Sequence, residues 1–292
     1  MVAGKGASDL RNAMFAARRA LSSRGTGAGR VSSQLYSTTS PSQPPTTISN
    51  PRWLSEVKHR IGHCITFGLT RSQTLEASHI LKDLGTSWRE LLAGSEGFLT
   101  GKHRRSMFRL PVVWGEQDSM GHVNNVVYNR YAETGRIGWA SKYGRYIDPE
   151  HAEEWNGLWT PRGEGLILRK ITTEFKFPMT YPDHVTIYHK LGTEPTEGTD
   201  TFDLHVIILS ELHQRPAARV QEDCVLYDYI KRKKTPIRPF MFDVLRETWR
   251  LQEVAKRENS QRVSDLLDRV RQLELQSWDR ADAVEDMGSA GR

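Results

Sequence analysis

Apolar residues return every three to four positions from Trp53 to Leu92, a period that predicts helix. Trp53, Leu54, Val57, Ile61 and Ile65 form one stripe. After a break around Gly68–Ser72, Ala77, Ile80, Leu81, Leu84, Trp88, Leu91 and Leu92 form a second, with Gly94 as the expected C-cap. The period then shortens to two. Ser106–Trp114 reads as a strand, as do Gly165–Phe177, His184–Gly192, Thr201–Leu212 and Ala218–Ile230. Between the first two strands lies one long helical run. Val127, Tyr131, Thr134 and Gly138 share one line of it, and Tyr128, Ala132, Gly135 and Trp139 the next. Two glycines inside a helix cost about 1 kcal/mol each relative to alanine, so a neighbouring backbone is expected close by. One strand, one helix and then four strands in hairpin succession predict an α+β fold, an antiparallel sheet wrapped around a single helix. From Pro239 the helical period returns, in stripes of Phe242, Leu245 and Trp249, then Val263, Leu266, Leu267, Val270 and Leu273.

Composition narrows the classes. No run of eighteen apolar residues occurs in the 292 and mean hydropathy is −0.58, so no transmembrane segment is expected. Cys64 and Cys224 stand far apart, form no ligand-like spacing, and are expected as reduced core residues. No metal site and no cofactor are expected. The net charge of +6 is concentrated at the start: residues 1–50 carry six basic residues against Asp9 alone, leaving +1 for the rest. On that sum no nucleic-acid partner is expected. Leu10, Met14, Ala17 and Leu21 share a helical face opposite Arg11, Arg18 and Arg19, the arrangement of a mitochondrial transit peptide, and a matrix location is expected. "STTSPSQPPTTISNP" has linker composition. The expected organisation is a transit peptide (1–36), a linker (37–52), a helical extension (53–100), a central domain (105–238) and an amphipathic helical tail (239–292). Packing on its own domain is the favoured role of that tail, with docking of a partner protein through the terminal helices as the alternative.

Candidate chemistry sits in "WGEQDSMGHVNNVVYNRY", Trp114 to Tyr131. Asp118 ends a strand just before a helix expected to begin near Asn124. A helix start presents unpaired N–H groups and partial positive charge, which could polarise a carbonyl and hold an oxyanion. A carboxylate just upstream could attack that carbonyl or activate water. Gly121 allows a tight turn. The competing role is structural: Asp118 caps the turn and Asn124 the helix.

"VVWGEQDSMGHVNNVVYNRYAETGR" resembles the signature of hotdog-fold acyl-CoA thioesterases of the 4-hydroxybenzoyl-CoA thioesterase type, through Trp114, Gly115, Asp118, Gly121, His122, Val123, Asn124, Asn125, Tyr128, Glu133 and Arg136. The resemblance runs from about Met107 to Ile230. It implies a hotdog fold, hydrolysis of an acyl-CoA to free acid and coenzyme A, and at least a homodimer to complete the site. It also implies Asp118 as nucleophile or general base and the backbone N–H of Asn125 as the group polarising the thioester carbonyl, with Gly121, Asn124 and Tyr128 binding substrate. His122 matches the histidine of the related plant acyl-carrier-protein thioesterases, whose Asp-x-Asn-x-His set is incomplete here because Met120 replaces the Asn. His122 is therefore a lesser catalytic candidate, expected to fix the loop. Glu116 stands where the family has Asp and is expected to be structural; Glu133 is expected to pair with Arg130 or Arg136. "KRKK" (Lys231–Lys234) and the two-tryptophan segment Glu153–Gly165 are candidate contacts for coenzyme A phosphates and for an acyl chain. The alternative function is a hotdog module without catalysis that serves a mitochondrial assembly, suggested by the helical flanks.

Overall fold

A computed structural model describes residues 52–286, so the transit peptide and nearly all of the linker fall outside the described residues. Two helices open the described chain, α1 (Trp53–Thr66) and α2 (Arg71–Ala93). Thr70 begins α2 with a reciprocal capping box: its hydroxyl accepts from Gln73 N–H and its own N–H donates to the Gln73 side chain. Gly94 is the C-cap of α2, as expected, in a right-handed conformation (φ −64°). The chain continues through one 3-10 turn, and Gly97 (φ +91°) makes the reversal. Gly94 also serves packing, since a Cβ there would stand 2.6 Å from the Asn259 amide nitrogen.

The strands and the central helix form where the periodicity places them: β1 (Met107–Val112), α3 (Asn125–Lys142), β2 (Glu164–Phe175), β3 (Asp183–Leu191), β4 (Thr201–Ser210) and β5 (Arg215–Asp228). Short α4 (Ala152–Gly157), two-residue β6 (Lys233–Lys234) and 38-residue α5 (Pro239–Gln276) complete the described elements. The sheet is antiparallel in the order β1-β3-β4-β5-β2, with β6 beside β5. This corrects one expectation. β3, β4 and β5 do follow one another as hairpins, but β2 and β3 do not pair; β2 runs along β5 and β3 along β1. The link 176–182 contains Pro178 and Pro182, which cannot donate to a ladder. It crosses three strand spacings, roughly 14 Å at about 4.8 Å each.

Alternation along the strands sorts two faces. Val185, Ile187, Val206, Ile208, Ala218 and Val220 point inward onto Val127, Tyr131 and Ala132 of α3. Tyr188, Ile207 and Leu209 point outward and are covered by α1, α2 and the distal half of α5 through Val263, Leu266, Val270 and Leu273. The proximal half of α5 packs Met241 and Leu245 on Tyr143, Trp155 and Leu226. A helix wrapped by an antiparallel sheet in this strand order is the hotdog arrangement, here with helical extensions. Most of the apolar stripe residues of the terminal helices are buried within the chain, while Ile65 and Leu81 remain exposed. The two-tryptophan segment likewise packs inward: Trp155 stacks on Tyr143 at 4.6 Å and donates to Asp148 at 2.8 Å.

Beneath α3 lies a buried polar cluster. Arg136 donates to Glu222 at 2.5 Å, and His189 Nδ1 lies 2.8 Å from the Ser106 hydroxyl. Arg136 thus turns inward to Glu222, not to Glu133, which forms no ion pair with Arg130 or Arg136. The glycines of α3 explain how the cluster fits. A Cβ on Gly135 would meet the His189 ring at 2.7 Å, and one on Gly138 would meet the Ser106 carbonyl at 2.8 Å. Burial holds the His189 pKa below its usual value, against the opposing pull of Glu222. Its Nε2 is 3.6 Å from Glu222, too long for a hydrogen bond, so burial outweighs the pull of that carboxylate. The unfolded chain, titrating near pH 6.5, therefore binds this proton first. The resulting stability is complete above about pH 6.5 and is lost as pH falls towards the folded pKa. Urea midpoints measured between about pH 7.5 and about pH 5.5 should fall, and fall less in His189→Gln.

Candidate active site

The motif is held by three sets of hydrogen bonds. Glu116 takes the first: its carboxylate accepts the Val113 N–H at 2.9 Å and the Tyr131 hydroxyl at 2.6 Å, while its carbonyl accepts the Asn124 N–H at 2.9 Å. Burial and the neighbouring Glu116 carboxylate push the Tyr131 hydroxyl pKa up, keeping it a donor. Glu116 therefore anchors the loop, as its place in the motif predicts.

The second set shapes the turn. Asp118 N–H donates to the His122 carbonyl at 2.9 Å, Gly121 N–H to the Asp118 carbonyl at 3.0 Å, and Met120 N–H to Asp118 Oδ1 at 2.9 Å. Gly121 sits at φ +74° with open space where a Cβ would be, so backbone conformation rather than crowding calls for glycine. Asp118 is exposed, and its Oδ2 has no hydrogen bond among the described residues. His122 is half-buried and supplies its carbonyl to the turn; its imidazole makes no hydrogen bond there.

The third set starts α3. Asn124 (φ −60°, ψ 141°) caps the helix, its Oδ1 accepting the Val126 N–H at 3.0 Å and its carbonyl the Val127 N–H at 2.9 Å. The Asn125 N–H has no acceptor among the described residues. Capping and an open donor thus coexist at one helix start. Tyr128 stands one turn on but is buried, and its hydroxyl accepts the Met179 N–H at 3.3 Å. The Met179 carbonyl in turn accepts the Val123 N–H at 2.8 Å. Tyr128 thus braces the motif against the 176–182 link from below rather than lining the open side. Met179 was not visible as a site element in the sequence, because it lies about 50 residues from the motif in an irregular link.

Around Asp118 and Asn125 the surface is apolar. Trp114 is 73% exposed, Met120 76% and Val126 61%, and Val113, Phe175 and Tyr181 are exposed as well. Trp114 meets Tyr181 edge-on at 6.1 Å. A carboxylate and an open helix N–H set among exposed apolar side chains suit a ligand with an apolar acyl part and a polarisable carbonyl. "KRKK" lies elsewhere. It follows the end of β5 that pairs with Glu164, whereas Phe175 is eleven residues away along β2, roughly 36 Å. Its Lys231 pairs with Asp228 at 2.9 Å and Lys234 with Asp200 at 3.8 Å. No group of three His, Cys, Asp or Glu among the described residues could hold a metal ion, and no described helix is long and apolar enough to cross a membrane.

Residues 112–245 match the model of the Thioesterase-like superfamily. That segment runs from the end of β1 into α5 and contains the whole motif; α1, α2 and most of α5 lie outside it. Among solved structures, the chain is similar to a thioesterase from Thermus thermophilus complexed with coenzyme A and Zn, at 18% identity over 52% of this chain and 98% of that one, TM-score 0.38. It is also similar to a DHNA-CoA thioesterase from Staphylococcus aureus, at 18% identity over 53% and 94%, TM-score 0.39. The PA2801 protein of Pseudomonas aeruginosa is similar at 21% identity over 47% and 95%, TM-score 0.38. No curated protein matches the chain. Both cysteines are free and buried, and burial pushes the Cys224 thiol up to about 12, which removes it as a nucleophile.

Proposed function

We propose that the protein is an acyl-CoA thioesterase, within the thioester hydrolase class that its superfamily match indicates. The observation that carries this reading is the pairing of an exposed Asp118 carboxylate, one oxygen free, with the unpaired Asn125 N–H at the start of α3. The thioester carbonyl oxygen would point at the Asn125 N–H, where about half a unit of positive charge from the helix supports a developing oxyanion. Asp118 removes a proton from water, and the hydroxide adds to the carbonyl carbon. Collapse expels the coenzyme A thiolate, which takes up the proton, leaving the free acid. Direct attack by Asp118 through a mixed anhydride uses the same placement.

A second copy of the chain completes the site. β2 ends the sheet with one side unpaired, and the exposed apolar rim adjoins its Phe175 end. The basic, acid-poor leader supports delivery to the mitochondrial matrix; a fusion lacking residues 1–50 is then expected to stay outside mitochondria.

The test is thiol release from a panel of short, long and aromatic acyl-CoAs by the full chain, with the acid product identified by mass. At least one is expected to be cleaved well above its background. A folded protein inert across the panel would sink this reading in favour of a non-catalytic module.

A further inference from the structure

The six cations Lys102, Arg104, Arg105, Arg109, Lys142 and Arg145 lie on the segment leading into β1, on β1 itself, at the end of α3 and in the turn that follows it. None forms an ion pair with a carboxylate among the described residues. The chain has no acid between Glu96 and Glu116, nor between Glu133 and Asp148. Structure brings these two acid-free stretches together. The Lys142 ammonium donates to the carbonyls of Lys102, at 3.3 Å, and of Arg105. His103 packs on Tyr146 at 4.4 Å, and the Arg145 guanidinium lies 5.1 Å from the same ring. Arg105 covers Phe108 at 3.7 Å. A bulge in β1, with Arg109 at φ +52°, leaves Phe108 and Arg109 both exposed.

Like charges held this close repel, and partial burial together with Arg105 and Arg145 lowers the Lys142 pKa. Protection of an edge strand accounts for a bulge and one arginine on β1. It does not account for Lys102, Lys142 or Arg145, which lie off the strand. We propose that this surface binds the phosphodiester backbone of single-stranded nucleic acid. Arg104 turns inward to donate to Thr248 at 2.9 Å; the other five cations supply counter-charge for successive phosphates, and Phe108 (44% exposed) and Tyr146 (41%) supply aromatic surface beside them. A membrane fits less well: among the described residues no amphipathic helix presents an apolar face here to enter a bilayer. The near-neutral charge sum beyond residue 50 concealed the patch because acids elsewhere balance it. The inference is independent of the thioesterase reading.

The test compares full-length wild type with full-length Lys102→Glu/Arg145→Glu, so that the basic leader contributes equally to both. Binding of a fluorescent single-stranded oligouridylate is followed by anisotropy across a salt series. Wild type is expected to bind with a steep salt dependence. The double variant should lose at least about tenfold in affinity and about 1.4 in the log–log salt slope, roughly 0.7 for each phosphate contact to a single strand, with melting temperature and thioester hydrolysis unchanged. Should the double variant melt early, Lys102→Gln/Arg145→Gln replaces it. Equal affinity in wild type and variant overturns the proposal, as does absence of binding. So does binding to cardiolipin-containing phosphatidylcholine vesicles that exceeds oligouridylate binding at the same salt.

Discussion

Replacing Glu222 with alanine is expected to lower the free energy of unfolding by about 3–5 kcal/mol, because it strands a buried guanidinium. The Arg136 and Glu222 side chains are 9% and 0% exposed and meet at 2.5 Å. Neither can reach water by rotating. Arg136 is on the face of α3 that packs on the sheet, and Glu222 is on the inward face of β5 between Val220 and Cys224. Removing one partner leaves the other charged, desolvated and unpaired. A double replacement, Arg136→Leu with Glu222→Met, should recover most of that loss, since desolvation consumes much of what a buried pair contributes. Urea denaturation of wild type and both variants checks the two statements. A Glu222→Ala loss near zero would mean that the pair is not buried as described.

Asp118→Asn should lower kcat by about 10²–10⁴ while leaving the melting temperature unchanged. The substitution is nearly isosteric, and its side-chain oxygen can still accept the Met120 N–H that shapes the turn. What disappears is the negative charge on the free oxygen, hence the ability to take a proton from water or to attack carbon. Substrate contacts made by the apolar rim do not involve that charge. KM should therefore change far less than kcat, the pattern of an interaction made in the transition state alone. A fall in melting temperature parallel to the loss of rate would instead assign Asp118 to the turn.

Most of the fold was legible because burial imposes its period on the sequence. Trp53 to Leu92 shows the helical period, whereas Val185 to Leu191 and Leu204 to Ser210 are buried on both faces and read as strands through their short, β-branched apolar runs. Which strands pair was not legible: alternation reports a face, not a neighbour, and β2 and β3 were placed side by side although β5 and β4 separate them. The motif's local chemistry was readable, since a turn glycine, an Asn cap and a nearby carboxylate act within about ten residues. Long-range contacts were not. Met179 reaches Val123 and Tyr128 from a distant link, and Arg136 finds Glu222 across 86 residues. One signal for the latter was present. Glu222 occupies an inward position in the alternation Ala218, Val220, Cys224, Leu226, where a lone carboxylate requires a partner.

The central claim, that Asp118 and the start of α3 act on a thioester, is tested most directly by single-turnover cleavage with enzyme in excess over the best acyl-CoA. This isolates the chemical step from product release. Asp118→Asn is expected to slow bond cleavage by at least about a hundredfold relative to wild type, both proteins being equally folded. Equal single-turnover rates in the two would contradict the claim.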